Sequence, residues 1–145
     1  MEDLTYIAEH PQASSGAPDQ FAIVRASALY SMGNFEDGEA VMTDVFLRFQ
    51  KQGDVGHAAP LQVWLFTACA FRREYRKCVA LGKWRTRILE NDALGNCQTA
   101  LACAAVGQND VALEFANRAL ECDVDSRETW STLARVYYKR GAFDN

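Results

Sequence analysis

Two glycines, Gly107 and Gly141, lie 34 residues apart, and each follows a helical pattern of apolar residues and precedes a turn. A step of 34 residues back from Gly107 reaches Arg73, and a further step of 40 reaches Gly33. An aromatic residue comes two positions after three of these four turns: Phe35, Tyr75 and Phe143. A period of this length is typical of helical repeat proteins. The spacing therefore predicts stacked two-helix units that bury a shared core.

The apolar residues between these turns recur at helical spacing. Leu101, Ala104 and Ala105 are at i, i+3 and i+4, the pattern of one helix face. All three prolines lie before residue 61, so the rest of the chain is free to be helical. We predict a short helix at about 3–9, a flexible Gly-, Ser- and Pro-rich linker at 10–18, and then seven helices: 19–32, 35–51, 60–72, 75–90, 93–106, 109–122 and 126–140.

The pattern resembles the tetratricopeptide repeat, a 34-residue unit with a large residue at position 4, Leu at 7, Gly at 15 and Ala at 20 and 27. The fourth unit (127–145) matches it with Trp130, Leu133 and Gly141, and the third (93–126) with Ala112 and Ala119. The second unit (59–92) departs from it, since an arginine replaces the glycine. The first (19–58) holds six extra residues, around the polar loop 52–54.

The resemblance implies an all-α fold, a TPR-like α-solenoid of antiparallel helix pairs with a right-handed superhelix. After an N-terminal segment and linker at 1–18, it covers residues 19–145. The sequence ends at position 19 of the fourth unit, so we expect it to be trimmed from a longer protein. Otherwise the last helix is itself the cap, or another chain covers its apolar residues: Trp130, Tyr137 and Phe143.

The resemblance also implies a concave groove lined by one face of the first helix of each unit. The groove positions of the second and third units carry almost no charge, and the Lys and Asn residues with which related modules clamp a chaperone's terminal carboxylate are absent. An apolar groove suits an amphipathic helix or an apolar extended segment. The alternative is that the N-terminal segment or tight curvature fills it. The candidate groove residues are Ile23, Ser27, Tyr30, Val63, Thr67, Phe71, Leu94, Cys97, Leu101 and Tyr138.

A basic stretch at residues 72–87 contrasts with the acidic remainder of the chain. It carries seven basic side chains and a single acid, Glu74, while the net charge of the chain is −4. On a helix, four of its cations share one face: Arg72, Arg76, Lys83 and Arg87. This basic patch is a solvated surface, a second contact surface for self-association, or a nucleic-acid site. The last is the weakest reading, because nucleic-acid-binding domains are usually basic overall.

The composition limits the remaining functions. An acidic chain has no general affinity for nucleic acid or anionic membranes, and no run approaches the ~18 apolar residues of a spanning helix. The N-terminus MEDLTYIAEH lacks the basic and apolar regions of a secretory signal. Five cysteines without a CxxC pattern indicate reduced thiols. We expect a cytoplasmic protein that does not insert into membranes.

No catalytic motif is present. The sequence has no phosphate-binding or zinc-protease signature, and His10 and His57 are solitary residues in predicted loops. The repeat pattern places Cys97 on the inner, groove-lining face, so we expect it to be the most exposed of the five thiols. The other four take packing positions: Cys69, Cys78, Cys103 and Cys122. We expect neither an enzyme nor a bound metal or cofactor.

These observations lead to two functional hypotheses. The first is a non-catalytic interaction module that holds a helical or apolar segment of a partner protein, similar in size and groove character to the chaperones of bacterial type III secretion. The second is an oligomerisation or scaffold arm of a larger regulatory or structural protein, which meets an acidic surface of another copy through the basic patch.

Overall fold

The computed structural model describes residues 18–140, and in this range the chain is all-α. Its seven helices are α1 Pro18–Ser31, α2 Phe35–Lys51, α3 Val55–Phe71, α4 Tyr75–Ile88, α5 Ala93–Ala105, α6 Asn109–Cys122 and α7 Arg127–Arg140. No strand occurs between residues 18 and 140, so the predicted all-α class is confirmed. The predicted N-terminal helix and most of the linker lie outside the described residues, as do Gly141 and Phe143.

The third helix begins earlier than the sequence pattern predicts. Pro60 was expected to open it, but α3 starts at Val55 and contains Pro60. Asp54 supplies the start, because its carboxylate accepts a hydrogen bond from the His57 backbone N–H at 3.2 Å. The donor that Pro60 lacks would have bonded the carbonyl of Gly56, and both residues are exposed to water. His57, predicted to lie in a loop, is therefore in the first turn of a helix.

The same turn ends α1, α2, α3 and α5. Gly33, Gly53, Arg73 and Gly107 have φ values of 88°, 72°, 59° and 86°, all in the left-handed region. In each turn the left-handed residue donates its N–H to the carbonyl three residues earlier, and the next residue donates to the carbonyl five residues earlier. This is the hydrogen-bond pattern of a Schellman helix end. Arg73 thus adopts the glycine conformation at the position where the repeat frame places a glycine.

The chain divides into two compact units, residues 1–65 and 66–145, with the boundary inside α3. In the first unit α1 packs on α2. A Cβ at Gly38 would come within 2.8 Å of the Ala26 carbonyl oxygen, so only glycine lets these two backbones approach this closely. The ring of Tyr30 lies edge-on to Phe35 at 4.7 Å and to Trp64 at 5.2 Å between ring centres. These contacts form the aromatic part of the first unit.

In the second unit each helix from α4 to α7 contacts the next, and α5 also contacts α7. Its core contains small residues of α5 and α6 against Leu133 and Val136 of α7. Gly82 of α4 fits against Thr99 of α5, where an added Cβ would lie 3.1 Å from the Thr99 Cα. Trp84 of α4 is also buried. The α5–α7 contact brings together the two helices that define the candidate site.

Candidate functional site

Helices α5 and α7 border two adjoining cavities within the second unit. The first, of about 370 Å³, is lined by Leu94, Cys97, Leu101 and residues of α7. The second, of about 490 Å³, is lined by Leu101, Ala104, Ala105, Tyr138 and neighbouring residues. The cavities share three lining residues, so they form one continuous depression, here called the α5–α7 groove: Leu101, Ser131 and Arg135.

The sequence of α5 explains why this helix forms one wall of the groove. Asp92 caps its first turn by accepting a hydrogen bond from the Gly95 N–H at 3.1 Å. Alanines and threonine on one face are buried in the core, which leaves the opposite face to Leu94 and Leu101, two turns apart. Leu94 is 43% exposed although it is apolar. The helix therefore carries an accessible leucine surface on a rigid, well-packed support.

Charged side chains occur in the groove only on α7. Arg127, Glu128 and Arg135 line its walls, together with the polar side chains Gln98, Ser131 and Thr132. In the part of the chain that the structure describes, neither arginine forms an ion pair. The floor is apolar, because Phe66, Tyr75, Leu94, Leu101 and alanines of α5 and α7 make most of it. Covering such a surface with an apolar group lowers the free energy, because apolar area is removed from water.

The structure separates the ten candidate groove residues into three groups. Leu94, Cys97, Leu101 and Tyr138 line the α5–α7 groove. Thr67 and Phe71 are exposed residues of α3 that line neither cavity, and Phe71 is 72% exposed. The remaining four belong to the first unit, where all are half-buried: Ile23, Ser27, Tyr30 and Val63.

Several lining residues were missed by the sequence interpretation. Phe66 lies within α3 and Tyr75 is the first residue of α4, and both are outside the positions that the repeat pattern assigns to the inner face. Arg127 and Ala134 of α7 also line the groove without occupying those positions. Only the aromatic character of Phe66 and Tyr75 could have singled them out in the sequence, and that character is equally typical of core residues.

The expected exposure of Cys97 is wrong. It is 9% exposed, because α7 covers it and its Sγ lies 3.9 Å from the Thr129 Oγ1. Cys69, Cys78 and Cys103 are buried as predicted, and Cys122 is half-buried. Burial raises the pKa of the Cys103 thiol, and burial followed by nearby acidic charge raises that of Cys122. Both thiols therefore stay protonated at neutral pH, which makes them poor nucleophiles.

The basic stretch is partly neutralised within its own unit. Arg72 and Lys77 form ion pairs with Glu74 at 3.3 Å and 2.5 Å. Arg85 pairs with Asp92 at 2.6 Å, and both side chains are largely buried. The pKa of Glu74 is lowered: the hydrogen bond from Lys77 is the largest effect, burial opposes it, and the positive charges of Lys77 and Arg72 lower the pKa further. Three of the seven basic side chains of the stretch therefore stabilise the local fold.

Two cations of the predicted patch, Lys83 and Arg87, face a separate cavity. This cavity, of about 430 Å³, lies between α4 and α6 and is here called the α4–α6 cleft. Arg118 of α6 also lines it, with its guanidinium 4.9 Å from the centre of the Phe115 ring. Arg76 is exposed and does not line it. The structure thus divides the predicted patch: Arg72 is paired, Arg76 is at the surface, and the other two converge on the cleft.

Comparison with known proteins adds no assignment. The sequence matches no model of a known protein family, and it has no significant match among curated proteins. Between residues 18 and 140 no helix is both long enough and apolar enough to cross a membrane. The geometry of the groove and cleft therefore carries the functional argument.

Proposed function

We propose that this chain is a non-catalytic protein-interaction module of the tetratricopeptide-repeat type, in which the α5–α7 groove holds a helical or apolar segment of a partner protein. The observation that carries the proposal is the continuous apolar depression along α5 and α7. Leu94 is exposed in it and Leu101 is half-buried. The left-handed turns at Gly33, Arg73 and Gly107 support the repeat assignment, because these three residues hold the position that the repeat pattern gives to glycine; Gly53 ends α2 in the same geometry.

The dimensions of the groove suit a short segment. Helix α5 has 13 residues, so the wall is about 20 Å long at 1.5 Å per residue. It can face about 13 residues of a partner helix, or about six of an extended strand at 3.3 Å per residue. Each large apolar side chain that such a segment buries contributes roughly 1.5–3 kcal/mol. Two or three anchors are then enough to offset the low end of the association cost of about 4–15 kcal/mol.

A client-shielding role in the cytoplasm follows from this mode of binding. A partner segment that is apolar enough to fill the groove is prone to aggregate when it is free. A module that covers it keeps it soluble until it is transferred, as chaperones do. This role is part of the proposal and depends on the groove being the binding site.

The alternative proposal is an oligomerisation arm that uses the basic patch. It has less support, because Arg72 is already paired with Glu74 and only part of the patch is available to another copy. Sedimentation at low and high salt distinguishes the two. An ion-pair-driven oligomer dissociates as salt screens the charges, whereas binding in an apolar groove persists.

The decisive test compares two positions of equal exposure. Leu94 and Ile88 are both 43% exposed leucine-sized residues of the second unit, but only Leu94 lines the groove. The wild type and the variants Leu94→Glu, Leu101→Glu and Ile88→Glu serve as bait in the native source, and the captured proteins are quantified by mass spectrometry. We expect at least one protein captured by the wild type and Ile88→Glu to be lost from both groove variants, because a carboxylate cannot be buried on an apolar floor.

Circular dichroism of the four proteins confirms that each bait is folded. Equal capture of every specific partner by Leu94→Glu, Leu101→Glu and the wild type contradicts the proposal.

A further inference from the structure

The α4–α6 cleft is a second concave site, separate from the groove, and its charges are arranged differently. Lys83 and Arg87 come from α4 and Arg118 comes from α6, so two helices direct three cations at one space. Lys83 is half-buried, whereas Arg87 and Arg118 are exposed. The cleft volume of about 430 Å³ lies within the range of small-molecule sites.

The cations are not satisfied by the acids beside them. Glu90 and Glu121 also line the cleft, yet among the described residues neither forms an ion pair with Lys83, Arg87 or Arg118. Elsewhere in the same unit, acids neutralise Arg72, Lys77 and Arg85 at distances of 2.5–3.3 Å. Lys83 and Arg87 are therefore two cations of the basic stretch that line the cleft without an ion pair to its acids.

The arrangement on α4 also has a cost. Lys83 and Arg87 are four residues apart and so neighbour each other on one helix face, where like charges repel and destabilise the helix. Arg118 is held in place by its contact with the Phe115 ring, which is only 8% exposed. A guanidinium that lines the same cavity as two further cations offers several donors, which suit the multiple oxygen acceptors of a phosphate.

The two carboxylates narrow the class of ligand. Because they reduce the net charge of the cleft wall to +1, electrostatic attraction of a bare anion is weak. A ligand that also carries ammonium or hydroxyl donors satisfies Glu90 and Glu121 while its phosphate meets the cations. Thr86 and Asn91 add polar groups to the same wall.

We propose that the α4–α6 cleft binds a small phosphate-bearing molecule that also carries ammonium or hydroxyl groups. Its phosphate lies among Lys83, Arg87 and Arg118, and its donor groups face Glu90 and Glu121. This site shares no lining residue with the α5–α7 groove.

The test is a calorimetric titration of the whole chain at low salt with three probes: phosphoethanolamine, inorganic phosphate and ethanolamine. We expect saturable binding of phosphoethanolamine, weaker binding of inorganic phosphate and none of ethanolamine. Lys83→Ala and Arg118→Ala should each weaken phosphoethanolamine binding by about tenfold, because each removes one charge-assisted hydrogen bond. Arg76→Ala is the matched control: it removes an exposed cation of the same helix that does not line the cleft, and it should leave binding unchanged.

Three results would overturn the proposal. The first is the absence of saturable binding by either phosphate-bearing probe. The second is an equal loss in Arg76→Ala, which would mean that the general positive field of α4, and not the cleft, attracts the anion. The third is equally tight binding of inorganic phosphate and phosphoethanolamine, which would contradict the role given to the two carboxylates.

Discussion

Asp92 joins α4 to α5 through two interactions, and its removal should be among the most damaging single changes in the chain. Its Oδ2 accepts hydrogen bonds from the Arg85 Nε at 2.6 Å and from the Gly95 N–H at 3.1 Å. The first is an ion pair between side chains that are only 10% and 17% exposed. The second is the cap of α5. One carboxylate therefore fixes the angle between two helices of the second unit.

The two contributions can be estimated separately. Loss of a helix N-cap costs roughly 1 kcal/mol. Removal of one partner from a buried ion pair costs about 3–5 kcal/mol, because the remaining charge is left in a poorly solvated place. The Arg85–Asp92 pair keeps some contact with water, so the low end of that range applies. We expect Asp92→Ala to lower the free energy of unfolding by about 4 kcal/mol, a large part of the roughly 5–15 kcal/mol of a typical domain.

Asparagine separates the two effects, because it is also a good N-cap but carries no charge. Asp92→Asn should therefore lose about 3 kcal/mol, and the difference from Asp92→Ala reports the cap. Asp44→Ala is the control: it breaks an exposed Asp44–Arg48 contact of 3.9 Å on α2 and should change stability by less than about 0.5 kcal/mol.

Urea denaturation followed by far-UV circular dichroism gives the free energies. If Asp92→Asn is as stable as the wild type, the buried ion pair contributes nothing and the reasoning is refuted.

Three further predictions concern local packing, backbone conformation and pH. Gly82→Ala should lower the free energy of unfolding by about 1–3 kcal/mol, because its Cβ would meet the Thr99 backbone; thermal and urea denaturation measure this. Arg73→Gly should raise it by about 0.5–1 kcal/mol in the same assay, because glycine adopts the φ of 59° without strain. Since the pKa of Glu74 is lowered by the hydrogen bond from Lys77, its stabilising contribution is complete above the ordinary carboxyl pKa and is lost as pH falls through the lowered one. Urea titrations at neutral and acidic pH should therefore show a smaller loss of stability on acidification in Glu74→Gln than in the wild type.

Each of these predictions has a contrary result. Gly56→Ala adds its Cβ in open space near only the Asp54 carboxylate, so equal destabilisation by Gly56→Ala and Gly82→Ala would show that the close approach at Thr99 is unimportant. A destabilised Arg73→Gly would mean that the arginine side chain contributes more than the backbone strain costs. Parallel pH profiles of Glu74→Gln and the wild type would remove Glu74 from the acid response.

The helix ends could be predicted from the sequence because their chemistry is local. Gly33 and Gly107 are left-handed, as glycines that follow a helix usually are. The repeat spacing even located the equivalent turn at Arg73, which has no glycine to mark it. The predicted start of α3 at Pro60 is wrong, because the helix is capped by Asp54, six residues before that proline.

The site depends on tertiary packing and was harder to predict. Whether Cys97 is exposed depends on where α7 lies, and no local pattern in α5 contains that information. Phe66 and Tyr75 line the groove from two other helices, α3 and α4. The cleft could not be predicted either, since Lys83 and Arg87 line one cavity with Arg118, which comes some thirty residues later in the sequence. Sequence periodicity identifies helix faces, but the packing of helices decides which faces meet.

The most direct test of the groove as the binding site is site-specific photo-crosslinking. A photoreactive benzoylphenylalanine replaces Leu101 in one protein and Ile88 in another, since Leu101 lies in the wall shared by both cavities and Ile88 lies outside them. After irradiation in the native source, the crosslinked peptides are identified by mass spectrometry. The account predicts that the Leu101 position crosslinks to one apolar or helical segment of a partner and that the Ile88 position does not. A partner that crosslinks at Ile88 and not at Leu101 would contradict it.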